Sequence, residues 1–385
     1  MAENGTQVVI VGAGFGGLWA AKALGGTDLS VRLLDKNNYH SFYPLLYQVA
    51  AAEVEPELIA HPVRRIVRDT PNVRFAMLEV QRIDLERQLV CGHDQEFHYD
   101  YLVLALGSTN HFFNTPGAEA NSFTLKSIEE GTGLRNHILQ CVENAAKLPP
   151  DAAAERRRLL TFVIIGGGPT GVEFAGAISE LLFEPLTRDY PDLDLRQEAK
   201  VILVEAVDSL LRGIGGDEYV RGRLAHMGVD VRVNSAVARI EPEAVVLASG
   251  ESIPTATPVW TAGVRGASLA DDLPLARVRG GRIPVRPTLQ TLTHDNIFVI
   301  GDLAYLEQDG AMLPGVAQVA MQQGEHAAAN IVRLHAGLPL LPFRYRDKGT
   351  MATVGRSAAV ARLGGRLYTG FFAWLIWLAV HIFFL

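Results

Sequence analysis

Two glycine clusters, each followed downstream by a carboxylate, are the residues of this 385-residue chain whose types and spacing could do chemistry. The first, Gly12-Ala13-Gly14-Phe15-Gly16-Gly17, follows an apolar strand at 8–11 and opens an Ala/Leu-rich helix; a second strand then ends at Asp35. Gly12 suits the tight turn, Gly14 lets a pyrophosphate approach the backbone, and Gly17 lets helix and strand pack closely. The helix N-terminus adds free N–H groups and a positive dipole end. Asp35 stands 23 positions after Gly12, where a carboxylate meets a ribose hydroxyl. The pattern repeats in Gly166-Gly167-Gly168-Pro169-Thr170-Gly171, after an apolar stretch at 161–165, with KVILVE ending at Glu205. The interval to Glu205 exceeds the usual ~20 residues, and an extended helix and loop through 185–198 accounts for the excess.

Two complete units point to two dinucleotides held face to face. Nicotinamide and flavin form the natural pair, because hydride passes directly between their rings. A tandem duplication with one degenerate site is the alternative, but both loops keep three glycines and a terminal acid. Glu205 should accept hydrogen bonds from a ribose and repel a 2′-phosphate, which favours NADH over NADPH.

The intervening elements must position these loops. Residues 58–67 read as a helix, 73–80 and the stretches near Leu89 and Phe97 as strands, and 101–107 (YLVLALG) as a buried parallel strand. A helix at 125–147 and a linker at 149–158 precede the second loop. Residues 217–227 read as a helix, 229–233 as a strand and 237–261 as a small antiparallel meander. NIFVIGD (296–302) is another strand, and 316–334 another helix. The expected fold class is α/β, with two Rossmann-like domains: 1–117 with 286–345, then 118–285, and a C-terminal region at 346–385.

Composition excludes several classes. A net charge of −7 argues against a nucleic-acid binder. Cys91 and Cys141 are far apart, so neither a metal site nor a C-x-x-C disulfide reductase is expected, and the compartment should be reducing. His40, His111 and His381 show no ligand spacing and read as packing or surface residues. Seven mostly polar residues precede the first strand, so no signal peptide is expected.

GAGFGGL, NYHSFYPLLYQVA, ALGS, GGGPTGVEFAG, WTAG, NIFVIGD, AQVAMQQG and KGTMATVG together resemble, in order, the type II NADH dehydrogenases, single-subunit NADH:quinone oxidoreductases with the fold of glutathione reductase. The resemblance implies FAD on the first unit, around Gly12, Gly14, Gly17, Asp35 and Lys36, with Gly107 near the flavin and Asp302 at the ribitol or phosphate region. Relatives usually carry Glu at the Asp35 position; Asp keeps the charge and shortens the reach. It implies NADH on Gly166, Gly168, Gly171, Glu205 and Gly263, and a part in proton delivery for Glu173. Ala317, Gln318 and Gln322 begin one helix, and four-residue spacing puts the two glutamines on one face. By resemblance that face meets flavin and quinone. Lys348 matches a family position near the quinone, with a surface lysine as the alternative. Sulfide:quinone oxidoreductase, which needs redox cysteines by the flavin, and an NADH-binding redox sensor without quinone turnover are the competing readings.

The tail at 367–385 carries no formal charge. As one helix its 19 residues would span roughly 28 Å, close to the ~30 Å of a bilayer core. A spanning helix, an in-plane anchor and a buried or dimer helix compete. The resemblance implies a monotopic enzyme held by this segment on the cytoplasmic face of the cell membrane, probing the lipid surface for a membrane quinone. It also implies a homodimer. Relatives usually continue with a further basic stretch, so a shortened anchor is expected.

Overall fold

A computed structural model describes residues 5–149 and 151–384. The chain divides into two compact units.

The first unit comprises Met1–Ser41, Ala60–Thr109 and Val264–Asp347. Its centre is a five-stranded parallel sheet ordered Ile297–Val299, Tyr101–Leu104, Gln7–Val11, Ser30–Asp35, Val73–Met77. The inner strands bury both faces, so they read as near-continuous apolar runs. Val8, Ile10, Leu33, Leu102 and Phe298 are wholly inaccessible to solvent. Helix Phe15–Ala23 packs directly against helix Ala317–His335. A methyl group placed on Gly324 would lie 2.3 Å from the Gly16 carbonyl oxygen, so the two backbones touch. An antiparallel hairpin pairs Tyr39–Ser41 with Ala60–Pro62, setting His40 opposite His61.

The second unit comprises Phe42–Ile59, Asn110–Gly263 and Lys348–Leu385. Its parallel sheet runs Val229–Arg232, Lys200–Val204, Thr161–Ile165, Thr257–Trp260. Helix Pro169–Leu181 begins with proline, whose missing N–H costs nothing in a first turn. A three-stranded antiparallel sheet (Thr350–Thr353, Ala359–Leu363, Arg366–Gly370) leads into the last helix, Phe371–Phe384.

Four expectations about elements are corrected. The meander at 237–261 stops at Pro254: Thr257–Trp260 is buried at every position and joins the parallel sheet beside Thr161–Ile165. Residues 58–67 are not one helix. Pro56 and Pro62 divide them into a 3-10 turn at Pro56–Leu58, a strand at Ala60–Pro62 and a short helix at Val63–Val67. Part of the expected linker at 149–158 is helical, as Ala153–Leu159. The tail is not one helix either. Leu367 to Gly370 pair with Ala359 to Arg362, leaving a 14-residue helix of about 21 Å. Among the described residues no helix is long and apolar enough to cross a membrane.

Candidate functional site

In the first unit, strand Gln7–Val11 delivers the chain into a turn that bulkier residues could not make. Gly12 has φ +105°, and a methyl group there would lie 2.3 Å from the Ala105 carbonyl oxygen. Gly17 faces the Gly12 carbonyl, where a methyl group would sit at 1.8 Å. Gly14 differs: a methyl group there would meet nothing within 4 Å. Steric need inside the protein therefore explains Gly12 and Gly17, whereas Gly14 borders open space at the helix N-terminus. That terminus has no side-chain cap and no acid in its first turn, so its positive end is available to an anion.

Asp35 closes the loop from the next strand. Its Oδ2 accepts the Ala13 N–H at 2.7 Å and its Oδ1 accepts the Asn37 N–H at 2.8 Å. Burial raises the Asp35 pKa, while the two backbone N–H groups and Lys36 oppose the rise. Lys36 itself is exposed. The second unit repeats the arrangement. Glu205 accepts the Gly167 N–H at 2.6 Å and the Val207 N–H at 3.0 Å. Gly166 has φ +114°, a methyl group on Gly171 would lie 1.9 Å from the Gly166 carbonyl oxygen, and Gly168 borders open space at another uncapped helix start. Asp35 thus makes, despite its shorter reach, the same two backbone contacts as Glu205. Gly263 follows strand Thr257–Trp260 with φ +72°, and its carbonyl accepts the His111 N–H at 3.2 Å.

Further along the first unit's sheet, Gly107 (φ +68°) follows Tyr101–Leu104, and Asp302 follows Ile297–Val299. Ser108 Oγ donates to Asp302 Oδ2 at 2.7 Å, which ties the two strand ends together. These ends are where doubly wound sheets receive ligands. Helix Ala317–His335 starts without a side-chain cap or a first-turn acid. Gln318 is half-buried in that turn. Gln322 has its amide engaged at both ends, donating to the Arg346 carbonyl and accepting the Arg346 N–H, each at 3.0 Å. The sequence reading missed the neighbouring Gln323, which is buried and accepts the Gly301 N–H at 2.7 Å. Its position on the helix face opposite Gln318 was the available signal.

Glu173 lies in the second unit, buried on helix Pro169–Leu181. Burial pushes its carboxyl up to about 8, against a hydrogen bond from the Thr353 N–H. Thr353 Oγ1 shares a 2.8 Å hydrogen bond with Tyr47. Two turns along the helix, Glu180 accepts the Arg356 N–H at 2.6 Å, and Glu53 is pushed up to about 7 by burial and by the Glu180 charge. Tyr47 and Thr353 fall inside the segments NYHSFYPLLYQVA and KGTMATVG but were given no role from sequence, and Glu53 and Glu180 lie outside every motif. Lys348 is exposed at the start of the C-terminal segment.

Residues 6–324 match the pyridine nucleotide-disulphide oxidoreductase family. The type II NADH:quinone oxidoreductase Ndh of Mycobacterium tuberculosis is 37% identical over 98% of this chain and 83% of its own length. Among solved structures, that of NDH2 from Plasmodium falciparum in complex with NADH has a TM-score of 0.91 at 18% identity, covering 99% of this chain and 95% of that one. The sulfide:quinone oxidoreductase from Aquifex aeolicus has a TM-score of 0.79 at 21% identity, covering 98% and 90%. At those identities the two structures speak for the fold alone. Fold and loops define a two-dinucleotide oxidoreductase. The chain belongs to the pyridine nucleotide-disulphide oxidoreductase family and, within it, to the type II NADH:quinone oxidoreductases.

Proposed function

We propose that this chain oxidises NADH through a bound FAD and passes two electrons to a membrane quinone without pumping protons. The observation that carries the reading is the pair of glycine loops, each with an open central glycine and a backbone-anchored acid. FAD, when bound, supplies the two-electron chemistry that links hydride to quinone. The first unit's cradle fits it: Gly14 and the uncapped helix end receive pyrophosphate, Asp35 receives ribose, Lys36 lies beside it, and Gly107 and Asp302 flank the ribitol. Gly166, Gly168, Gly171, Glu205 and Gly263 receive NADH in the second unit. Glu173 holds a proton at neutral pH, which suits it to supply one during quinone reduction. Ala317 and Gln318 begin the helix assigned to flavin and quinone. Gln318 and Gln322 both face flavin and quinone in this reading, and Gln322 also holds Arg346 through its amide. Lys348 is a second proton source in this reading.

The last helix supports peripheral membrane attachment. Ala373 and Trp377 are buried, and His381 stacks on Trp377, while Phe371, Phe372, Leu375 and Ile382 are exposed. A face of exposed apolar side chains on this helix suits in-plane docking. The reading places the protein on the cytoplasmic face, and includes a homodimer carried by the resemblance alone. Neither cysteine favours sulfide chemistry: Cys91 and Cys141 are buried, belong to different units, and have thiols raised chiefly by burial.

The deciding experiment is anaerobic bleaching of the flavin by NADH, followed by reoxidation with a panel of quinones. Rapid bleaching and rapid quinone reoxidation are expected. Bleaching without quinone reoxidation would instead point to the redox-sensor reading.

A further inference from the structure

The peptide groups around Ala13 are held from two sides. Asp35 takes the Ala13 N–H, and the buried His40 ring, through Nδ1, bonds the Ala13 carbonyl oxygen at 2.9 Å. A carbonyl can only accept, so Nδ1 carries the proton and donates. The second loop is held in the same way: Glu205 takes the Gly167 N–H, and the backbone N–H of Leu211 donates to the Gly167 carbonyl at 2.8 Å. His40 comes five positions after its acid and Leu211 six after its own.

The geometry of the peptide unit gives these bonds a purpose. The Ala13 carbonyl and the Gly14 N–H belong to one planar trans group and point in opposite directions. Fixing the carbonyl toward His40 therefore aims the Gly14 N–H away from the ring. Among the described residues no protein acceptor takes that N–H, nor that of Gly168. Phe15 meets the His40 ring edge-on at 4.9 Å and 90°, which limits ring rotation. Burial lowers the His40 pKa, opposed by the Ala13 bond and aided by His61 and Lys22, which favours the neutral ring with its donor on Nδ1.

We propose that His40 is the positioning residue of the flavin phosphate loop: its Nδ1–H sets the Ala13–Gly14 peptide so that the Gly14 N–H meets the pyrophosphate. Leu211 does the same for the nicotinamide loop with a backbone donor. The proposal rests on the assignment of FAD to the first unit.

The test strips the full-length chain of flavin and titrates FAD back, reading flavin fluorescence, with NADH affinity measured in parallel. His40→Phe keeps a ring and removes the donor; His40→Asn puts an amide N–H where Nδ1 was. We expect His40→Phe to weaken FAD about tenfold, His40→Asn to stay within about twofold of the parent chain, and NADH affinity to hold in both. Unchanged FAD affinity in His40→Phe overturns the proposal, as does an equal loss in His40→Asn. Should His40→Phe fail to fold, His40→Asp against His40→Asn compares an acceptor with a donor of the same shape. Gly14→Val separates the underlying assignment: if FAD still binds that variant, the first loop is not the flavin site.

Discussion

Thr353 ties two groups of the second unit together. Its backbone N–H donates to Glu173 Oε1 at 3.3 Å, and its hydroxyl shares a 2.8 Å hydrogen bond with Tyr47. One donor bond is too little to offset burial, and the Glu173 carboxyl is accordingly raised to about 8. At neutral pH it is an acid rather than a carboxylate, and Tyr47, raised chiefly by burial, stays protonated too.

Quinone turnover should therefore decline as pH rises past about 8, the value at which Glu173 gives up its proton. Glu173→Gln keeps shape and neutrality but cannot release a proton. It should lower kcat by roughly 10²-fold and remove the alkaline limb of the profile, with NADH affinity held. A profile identical to that of the unsubstituted enzyme would remove Glu173 from proton delivery.

The same carboxyl sets a trend in stability. Its folded value, about 8, lies above the reference of 4.5, so between those limits the native state binds a proton that the unfolded chain lacks. Stability then falls as pH rises through that window. Glu53, at about 7, contributes with the same sign. Tm measured from pH 5 to pH 8 should drop, and Glu173→Gln with Glu53→Gln should flatten the slope.

Gly168 and Gly171 should fail in different ways. A methyl group on Gly171 meets the Gly166 carbonyl at 1.9 Å, so Gly171→Ala should lower Tm by several degrees and yield little protein. A side chain on Gly168 enters open space, so Gly168→Val should fold normally and lose NADH binding by at least about a hundredfold. Calorimetry and NADH titration together separate the two.

Glu205 should set the nucleotide preference. With its carboxylate anchored by Gly167 and Val207, a 2′-phosphate meets a fixed negative charge. The kcat/KM ratio of NADH over NADPH should be roughly 10² or more and should shrink in Glu205→Gln.

The outer face of the last helix should govern membrane attachment. Phe372→Lys with Ile382→Lys changes two exposed side chains and spares the buried Ala373 and Trp377. The double variant should move to the soluble fraction of a lysate with solution NADH oxidation intact. Retention in the membrane fraction would contradict anchoring by this face.

What was legible in the sequence was whatever is local. Asp35 and Glu205 are found from strand, glycines and acid in a short span, and the fold class follows from their repetition. Partners brought in by tertiary structure were not legible. Nothing in TPVW distinguishes an antiparallel strand from the buried strand that pairs with Thr161–Ile165; the difference lies in a neighbour almost a hundred residues away. The tail misled for a related reason. An apolar stretch has no periodicity to mark where a strand ends, and pairing with Ala359–Leu363 claims Leu367 to Gly370 before the helix can. His40 looked like packing because its partner is a carbonyl, which no sequence pattern displays.

The contact of Gly324 with the Gly16 backbone leaves no layer of side chains to absorb movement between the two helices. Helix Phe15–Ala23 begins at the first glycine loop, and helix Ala317–His335 begins at the two glutamines. The direct backbone contact therefore fixes the start of the glutamine helix against the helix that leaves the first glycine loop, so a bulkier residue at 324 would push the two helix starts apart.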